Sequence, residues 1–316
     1  VIFFITVWTT VRNKPHLGGV LFIDLVSDLV YNEVSKTLPC LWLTKKPLVL
    51  LGYGKENMNK LYQGDCLEVM QDIPDNSIDF ILTDLPYGTT ACSWDNVIPY
   101  KPMWEQLKKI RKDNTAIALF GNEPFSSHLR LSNLNEYKYD WKYKKLIASN
   151  FASAKYKPMK HIEDIMIFGK GKINYYPIKQ PRAESGKNRI NSGFKYNSEK
   201  GGEFIGGIER NNTTSNYDSD LKYPEDIQTF NNRAKGDRGL HPTQKPIALL
   251  EYLIKTYTLE NQVVLDFTMG SGSTGVACVN TNRNFIGIEL MPKYYEGAKE
   301  RIENAWNTSR GLWPLS

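Results

Sequence analysis

Residues 84–88 read DLPYG, directly after the apolar run SIDFILT. An acid, a proline and an aromatic at the end of an apolar strand admit two readings. One is a plain turn, because Pro and Gly end strands in many sequences; the other is a grip for a flat, nitrogen-bearing ring. A second constellation lies far downstream, in NQVVLDFTMGSGSTGVACVNTNRNFIGIEL. There Gly270, Gly272 and Gly275 fall in a GxGxxG pattern between an apolar strand ending at Asp266 and a helix, and the following strand ends in Glu289. Glycines permit a tight turn and close backbone approach, a helix N-terminus offers unpaired N–H groups to an anion, and an acid on the next strand accepts from ribose hydroxyls. A nucleoside cofactor is the guest such a loop takes.

The elements that must position these residues follow from periodicity. From Met58 the chain reads as a short strand ending at Gly64-Asp65, a helix over Leu67 to Met70, a Pro-Asp-Asn turn and a buried strand from Ile78 to Thr83, which is a βαβ unit. An amphipathic helix from Met103 to Ile110, the strand TAIALFG and a helix around Ser126 to Leu134 continue the alternation, so an α/β sheet with helices on both faces is expected. Within HPTQKPIALLEYLIKTYT, Pro246 sits near the start of a strongly periodic helix. Only one helix, about Lys293 to Trp306, follows Glu289. A nicotinamide dehydrogenase, the rival reading, places its glycine unit first and continues with several more strands. Here the sheet must instead be completed by earlier strands, those ending in Gly64-Asp65 and in DLPYG. Parallel strands deliver ligand-binding groups at their carboxyl ends, so both constellations are expected to face one crevice. Asp65 is then within reach of the cofactor's base, or it caps the helix that follows it.

Composition bounds the rest. With 316 residues, 41% hydrophobic and 23% charged, the chain fits one large globular domain or two modest ones. Its net charge of +6 favours a polyanionic partner only weakly. The cysteines, Cys40, Cys66, Cys92 and Cys278, form no CxxC pair, which points away from a disulfide framework or a zinc site and toward a reduced, cytoplasmic setting. Residues 1–57 carry apolar bursts interrupted by Arg12, Lys14, Asp24 and Asp28, short of the roughly 18 apolar residues a membrane helix needs. They lack a charged leader as well, and they are expected to be upstream read-through, with Met58 the natural start. Between Gly169 and Gly239 the composition shifts to Gly, Asn, Lys, Arg and Tyr. That stretch is either a polar insertion or a nucleic-acid module whose cations meet phosphates while its aromatics stack on bases.

DLPYG, then HPTQKP, then FTMGSGSTG together resemble the S-adenosylmethionine-dependent amino methyltransferases of DNA, in the permuted group where the catalytic motif precedes the cofactor motif. The resemblance runs from Met58 to about Ala305. The usual tetrad of that family is Asp-Pro-Pro-Tyr; Leu85 stands at its second place, where the family uses the backbone carbonyl, so Leu is expected to preserve the chemistry. The resemblance implies a Rossmann-like, mostly parallel sheet with a catalytic domain made of residues 58–168 and 241–308. A loop-rich target-recognition region spans 169–240. It implies catalytic roles for Asp84, Leu85, Pro86 and Tyr87, and contact with S-adenosylmethionine for Asp65, Asp266, Phe267, Gly270, Gly272, Glu289, Thr243 and Lys245, with no metal. Double-stranded DNA is the implied partner, a cognate restriction endonuclease a candidate one, with no membrane association and a monomer or homodimer as the assembly. Adenine N6 is the expected target because the tetrad opens with Asp; the rival is cytosine N4, where the family more often opens with Ser.

The residues support that chemistry independently. An adenine exocyclic amine is a poor nucleophile because its lone pair is delocalised into the ring. Two acceptors that bind its hydrogens, the Asp84 carboxylate and the Leu85 carbonyl, favour a pyramidal nitrogen. Pro86 stiffens the turn, and Tyr87 stacks on a base flipped out of the duplex, offsetting part of an unstacking cost of a few kcal/mol. Other residues carry readings of their own, several of them double. Trp94-Asp95 packs the active-site loop; His161 and Glu163 lie near the active site or merely open a polar strand; Trp141 and Lys142 line a DNA groove or decorate a basic face. Lys245 meets either the cofactor's carboxylate or the phosphate backbone.

Overall fold

The computed structural model of the chain describes residues 59–88, 95–191, 220–232 and 244–311. The stretch 1–57, Trp94, Thr243 and residues 192–219 of the polar segment lie outside the described residues. An eight-stranded sheet organises the rest, in the order β1-β10-β9-β2-β3-β5-β4-β8. Its strands are β1 (Lys60–Gln63), β2 (Ile78–Asp84), β3 (Arg111–Gly121), β4 (Tyr137–Ser149), β5 (Lys160–Phe168), β8 (Ile227–Phe230), β9 (Val263–Asp266) and β10 (Asn284–Glu289). Strands β6 (Gln180–Pro181) and β7 (Leu221–Lys222) form a separate two-stranded pair. Strand β5 alone runs against the others in the main sheet, through antiparallel pairing with β3 and β4. The sheet is thus mostly parallel, as the alternation of elements leads one to expect.

Both faces of the centre of the sheet are buried, which explains the near-continuous apolar runs of β2 and β3. Alternate residues of β3 part company: Ala116, Ala118 and Phe120 face one core, Ile117 and Leu119 the other. The first core is closed by α5 (Ile247–Tyr257), α6 (Ser273–Asn280) and α7 (Pro292–Ser309). The second is closed by α1 (Cys66–Val69), α2 (Tyr100–Ile110) and α3 (Phe125–Ser132). In α2 the buried Met103, Trp104, Leu107 and Ile110 recur at helical spacing, while Lys108 and Lys109 occupy its last turn, where cations suit the helix dipole. One short helix, α4 (Glu184–Asn191), lies in the polar segment.

Two regions differ from the sequence expectation. Strand β4 contributes 13 residues that the sequence pattern leaves unassigned, because YKYDWKYKKLIAS buries only Trp141 and Tyr143 and its lysines mask the alternation. The polar segment 169–240 is not all loop: its β8 extends the main sheet by pairing in parallel with β4, Lys142 opposite Ile227 through Lys145 opposite Phe230.

Candidate active site

The chain leaves β2 through α2 toward β3, and leaves β9 through α6 toward β10, on the opposite side. Strands β2 and β9 are nevertheless neighbours, with Phe80 opposite Val264 and Ile81 opposite Leu265. Their carboxyl ends therefore part at a topological switch point, where open α/β sheets form a crevice. Two threonines stitch the ends together. Thr83 Oγ1 donates to Asp266 Oδ1 (3.1 Å) and accepts from the Phe267 N–H (3.2 Å); Thr268 Oγ1 donates to the Asp84 carbonyl (3.0 Å). DLPYG and the glycine loop thus open onto one cavity, of about 330 Å³.

Four carboxylates line this cavity, Asp65, Asp84, Asp266 and Glu289, against a single ammonium, Lys245. Glu289, at the end of β10, accepts from the Gly270 and Met291 N–H groups, both at 2.9 Å, one on each oxygen. Burial pushes its pKa up. Asp266 is more enclosed: Thr274 Oγ1 donates to it at 2.6 Å and the Thr268 N–H at 3.2 Å, yet burial outweighs these bonds and moves its pKa to about 7. The ring of Phe267 is buried in the second core beneath the loop. Gly272 adopts a left-handed φ of +74°, and a Cβ there would lie 2.9 Å from that of Ala298. At Gly275 a Cβ would lie 2.4 Å from Ile302 Cδ1, so α6 and α7 meet only because that position is bare. Asp65 accepts from the Leu67 N–H at 2.7 Å and caps α1, as one of its two readings requires. Gln244 also lines the cavity, and its Oε1 is buried with no hydrogen-bond partner.

On the DLPYG side, Asp84 Oδ1 accepts from the Tyr87 hydroxyl at 2.7 Å. Burial, then the neighbouring Asp84 and Glu163, hold the Tyr87 phenol well above its ordinary range. One side of the Tyr87 ring packs on Phe125, with centroids 4.9 Å apart. The Leu85 side chain is buried in the second core, which is why an apolar residue suits that place. Gly88, with φ +67°, donates its N–H to buried Asp95 at 2.9 Å, so Asp95 does secure the loop after the tetrad.

Several side chains lie elsewhere than expected. Lys245 lines the cavity, with its Nζ 2.5 Å from Asp84 Oδ2 and 3.5 Å from Glu163 Oε2 and the Phe120 ring 5.0 Å away. A buried ammonium needs counter-charges, and these two are nearest. Trp141 is no groove residue; it is buried and donates from Nε1 to Tyr257 Oη at 2.6 Å. Lys142 pairs with Asp140 and Asp164. Glu163 is buried between Lys145 and Lys245, whereas His161 is exposed, with Nδ1 3.1 Å from the Lys145 carbonyl. Thr83, Thr268 and Gln244 carry little signal in the sequence; the trace of the first two is a hydroxyl within two residues of the acid that ends each motif strand. Among the described residues no group of His, Cys, Asp and Glu converges as a metal site, and no helix is long and apolar enough to cross a membrane.

The family model of the N6/N4 DNA methylases matches residues 78–300, which includes both sides of the cavity. The chain belongs to the N6/N4 DNA methylase family. This DNA methyltransferase is 27% identical over 267 residues to the type II methyltransferase M.HpaI of Haemophilus parainfluenzae, covering 78% of this chain and 75% of that protein. Its fold is that of the M1.HpyAVI–SAM complex (TM-score 0.52, 23% identity, 77% of this chain and 98% of the other). The PvuII DNA methyltransferase, described as cytosine-N4-specific, shares it too (TM-score 0.51, 15% identity, 83% and 98%). The nicotinamide reading falls away with the family. The lining agrees: four carboxylates and one ammonium are a poor setting for the pyrophosphate of a dinucleotide.

Proposed function

We propose that this DNA methyltransferase modifies the exocyclic N6 of adenine, with S-adenosylmethionine as its cofactor and Asp84 and the Leu85 carbonyl as the acceptors of the amine. The observation that carries the reading is the single cavity shared by Asp84, the glycine loop and Glu289. The donor set suits the cofactor. A surplus of carboxylates attracts a ligand bearing a sulfonium and an ammonium; Glu289 has lone pairs left for ribose hydroxyls; the orphaned Gln244 Oε1 awaits a donor. M1.HpyAVI, which shares the fold, was solved as its SAM complex. Bound in the cavity, S-adenosylmethionine supplies an electrophilic methyl group.

The rest of the chemistry belongs to the chain. Asp84 and the Leu85 carbonyl orient the amine so that its lone pair faces the methyl. Tyr87, fixed by its bond to Asp84 and by Phe125 on one side of its ring, offers the remaining side to the flipped base. Gly270, Gly272 and Phe267 shape the loop, Asp266 holds it to Thr83 and Thr274, and Asp65 lies at the cavity edge toward the cofactor's base. Catalysis then comes mainly from positioning and electrostatics. In this reading residues 58–168 and 241–308 form the catalytic domain and 169–240 recognise the target.

The test is to incubate the protein with unmethylated DNA and S-adenosylmethionine, digest to nucleosides and identify the methylated base by mass spectrometry, with Asp84→Ala in parallel. N6-methyladenine is expected, falling at least about 10³-fold in the variant. N4-methylcytosine would keep the amine grip and overturn the adenine assignment; transfer undiminished in Asp84→Ala would overturn the site.

A further inference from the structure

Lys245 belongs to no step of the reaction derived above, yet it is buried against the residue on which that reaction depends. We propose that Lys245 is a positioning residue: its ammonium, backed by Glu163 on its far side, holds the Asp84 carboxylate in the orientation in which it accepts the target amine. The inference rests on Asp84 being that acceptor.

The geometry is specific. Asp84 Oδ1 is taken by the Tyr87 hydroxyl and Oδ2 by Lys245 Nζ, so the carboxylate is held from both ends and cannot rotate without losing a bond. Each oxygen keeps a second lone pair, and that is where an amine hydrogen can bind. Glu163 Oε2 stands 3.5 Å from the same Nζ and has no hydrogen-bond partner, while its Oε1 is paired with Lys145. Lys245 is thus committed first to Asp84, and Glu163 acts on it chiefly as charge. Burial opposes the charge of Lys245, but Asp84 and Glu163 outweigh that effect and keep the ammonium above its ordinary range. Phe120 closes the ammonium's surroundings from β3. The titratable groups around Asp84 are then Tyr87 from its own loop, Lys245 from the segment before α5, Glu163 from β5 and Asp266 from the end of β9. Lys245 is the only cation among them. Removing it takes away the partner of Oδ2 and the positive charge beside Asp84, while the acids Glu163 and Asp266 remain.

The charge signs make a structural role and a positioning role separable. The experiment measures kcat against pH at saturating S-adenosylmethionine and unmethylated DNA, together with cofactor Kd, for the full chain and for Lys245→Met, Lys245→Arg and Glu163→Gln. Lys245→Met is expected to lower kcat about 10²-fold and to move the acid limb of the profile up by about one pH unit or more, with cofactor Kd within about twofold. Lys245→Arg retains the cation and should keep the acid limb in place while losing part of kcat. Glu163→Gln removes a negative charge and should shift the limb the other way, toward lower pH, with less than about a tenfold loss in kcat. Weakened cofactor binding with an unmoved acid limb in Lys245→Met would place the lysine on the cofactor and overturn the proposal. So would limbs that move in the same direction in Lys245→Met and Glu163→Gln. Should Lys245→Met fail to fold, the Lys245→Arg and Glu163→Gln limbs decide: both shifted upward would overturn it. Asp84→Asn in parallel separates the two readings, since full activity there would defeat the assignment of Asp84 itself.

Discussion

Two halves of one cavity solve the same problem differently. On the glycine-loop side, Asp266 and Glu289 are buried acids satisfied by neutral dipoles, namely threonine hydroxyls and backbone N–H groups. Burial wins there, and both carboxyls are held above their ordinary range. On the DLPYG side, burial likewise opposes the charge on Glu163, but Lys245 and Lys145 outweigh it and bring its pKa below the ordinary range. The difference follows from what each half must do. An acid ringed by dipoles keeps unspent negative potential and attracts a cationic ligand; an acid beside an ammonium is already neutralised as a pair and holds a fixed geometry.

The contrast can be broken most severely at Glu289. Glu289→Ala strands the N–H groups of Gly270 and Met291 and removes the acid proposed to accept from the ribose hydroxyls. Cofactor affinity should fall about 100-fold, read by calorimetric titration, with a much smaller effect on kcat at saturation. An unchanged affinity would mean that the dipole-ringed acid serves only the loop.

Thr274→Val sharpens the comparison next. The sign follows from Asp266, whose pKa of about 7 in the folded protein exceeds the ordinary 3.8. Between those values the folded state binds more protons than the unfolded one, so this group's contribution to stability declines as pH rises from about 4 to about 7 and is fully lost above that. Thr274 donates to the charged form, and removing its hydroxyl raises the Asp266 pKa further. The variant should therefore lose about 2 kcal/mol at pH 8 and distinctly less at pH 5, measured by urea unfolding. Equal losses at both pH values would mean that Asp266 does not change its ionisation between them.

The same contrast marks what the sequence discloses. The glycine-loop half is legible because it is local: strand, glycines, helix and the acid ending the next strand lie within residues 263–289, and β10 ends at Glu289 as its apolar run suggests. The position of DLPYG at the end of a buried strand is legible for the same reason. The contacts that join the halves are not. Thr268 reaches the Asp84 carbonyl across 184 residues and Lys245 reaches its carboxylate across 161, and no periodicity encodes a pair that far apart. Strand β4 is hidden in the sequence for a different reason. It lies near the sheet edge, so only two of its residues are buried and its lysines pair with acids on the same sheet, which hides the alternation.

Asp65 tests the smallest effect, because it belongs to neither half by its contacts. It is exposed, and the one observed bond of its carboxylate is the cap to the Leu67 N–H. Asn caps a helix about as well as Asp, whereas Ala does not. Asp65→Ala should cost about 1 kcal/mol of stability and Asp65→Asn less than about 0.5 kcal/mol. If the carboxylate also accepts from the cofactor's base, Asp65→Asn should weaken cofactor binding by a few-fold while leaving stability untouched, since the amide presents one acceptor where the carboxylate presents two. Full affinity in Asp65→Asn with the stability loss confined to Asp65→Ala would assign the residue to the cap alone. The negative lining that draws the cofactor would then reduce to the dipole-ringed acids at the strand ends, Asp266 and Glu289.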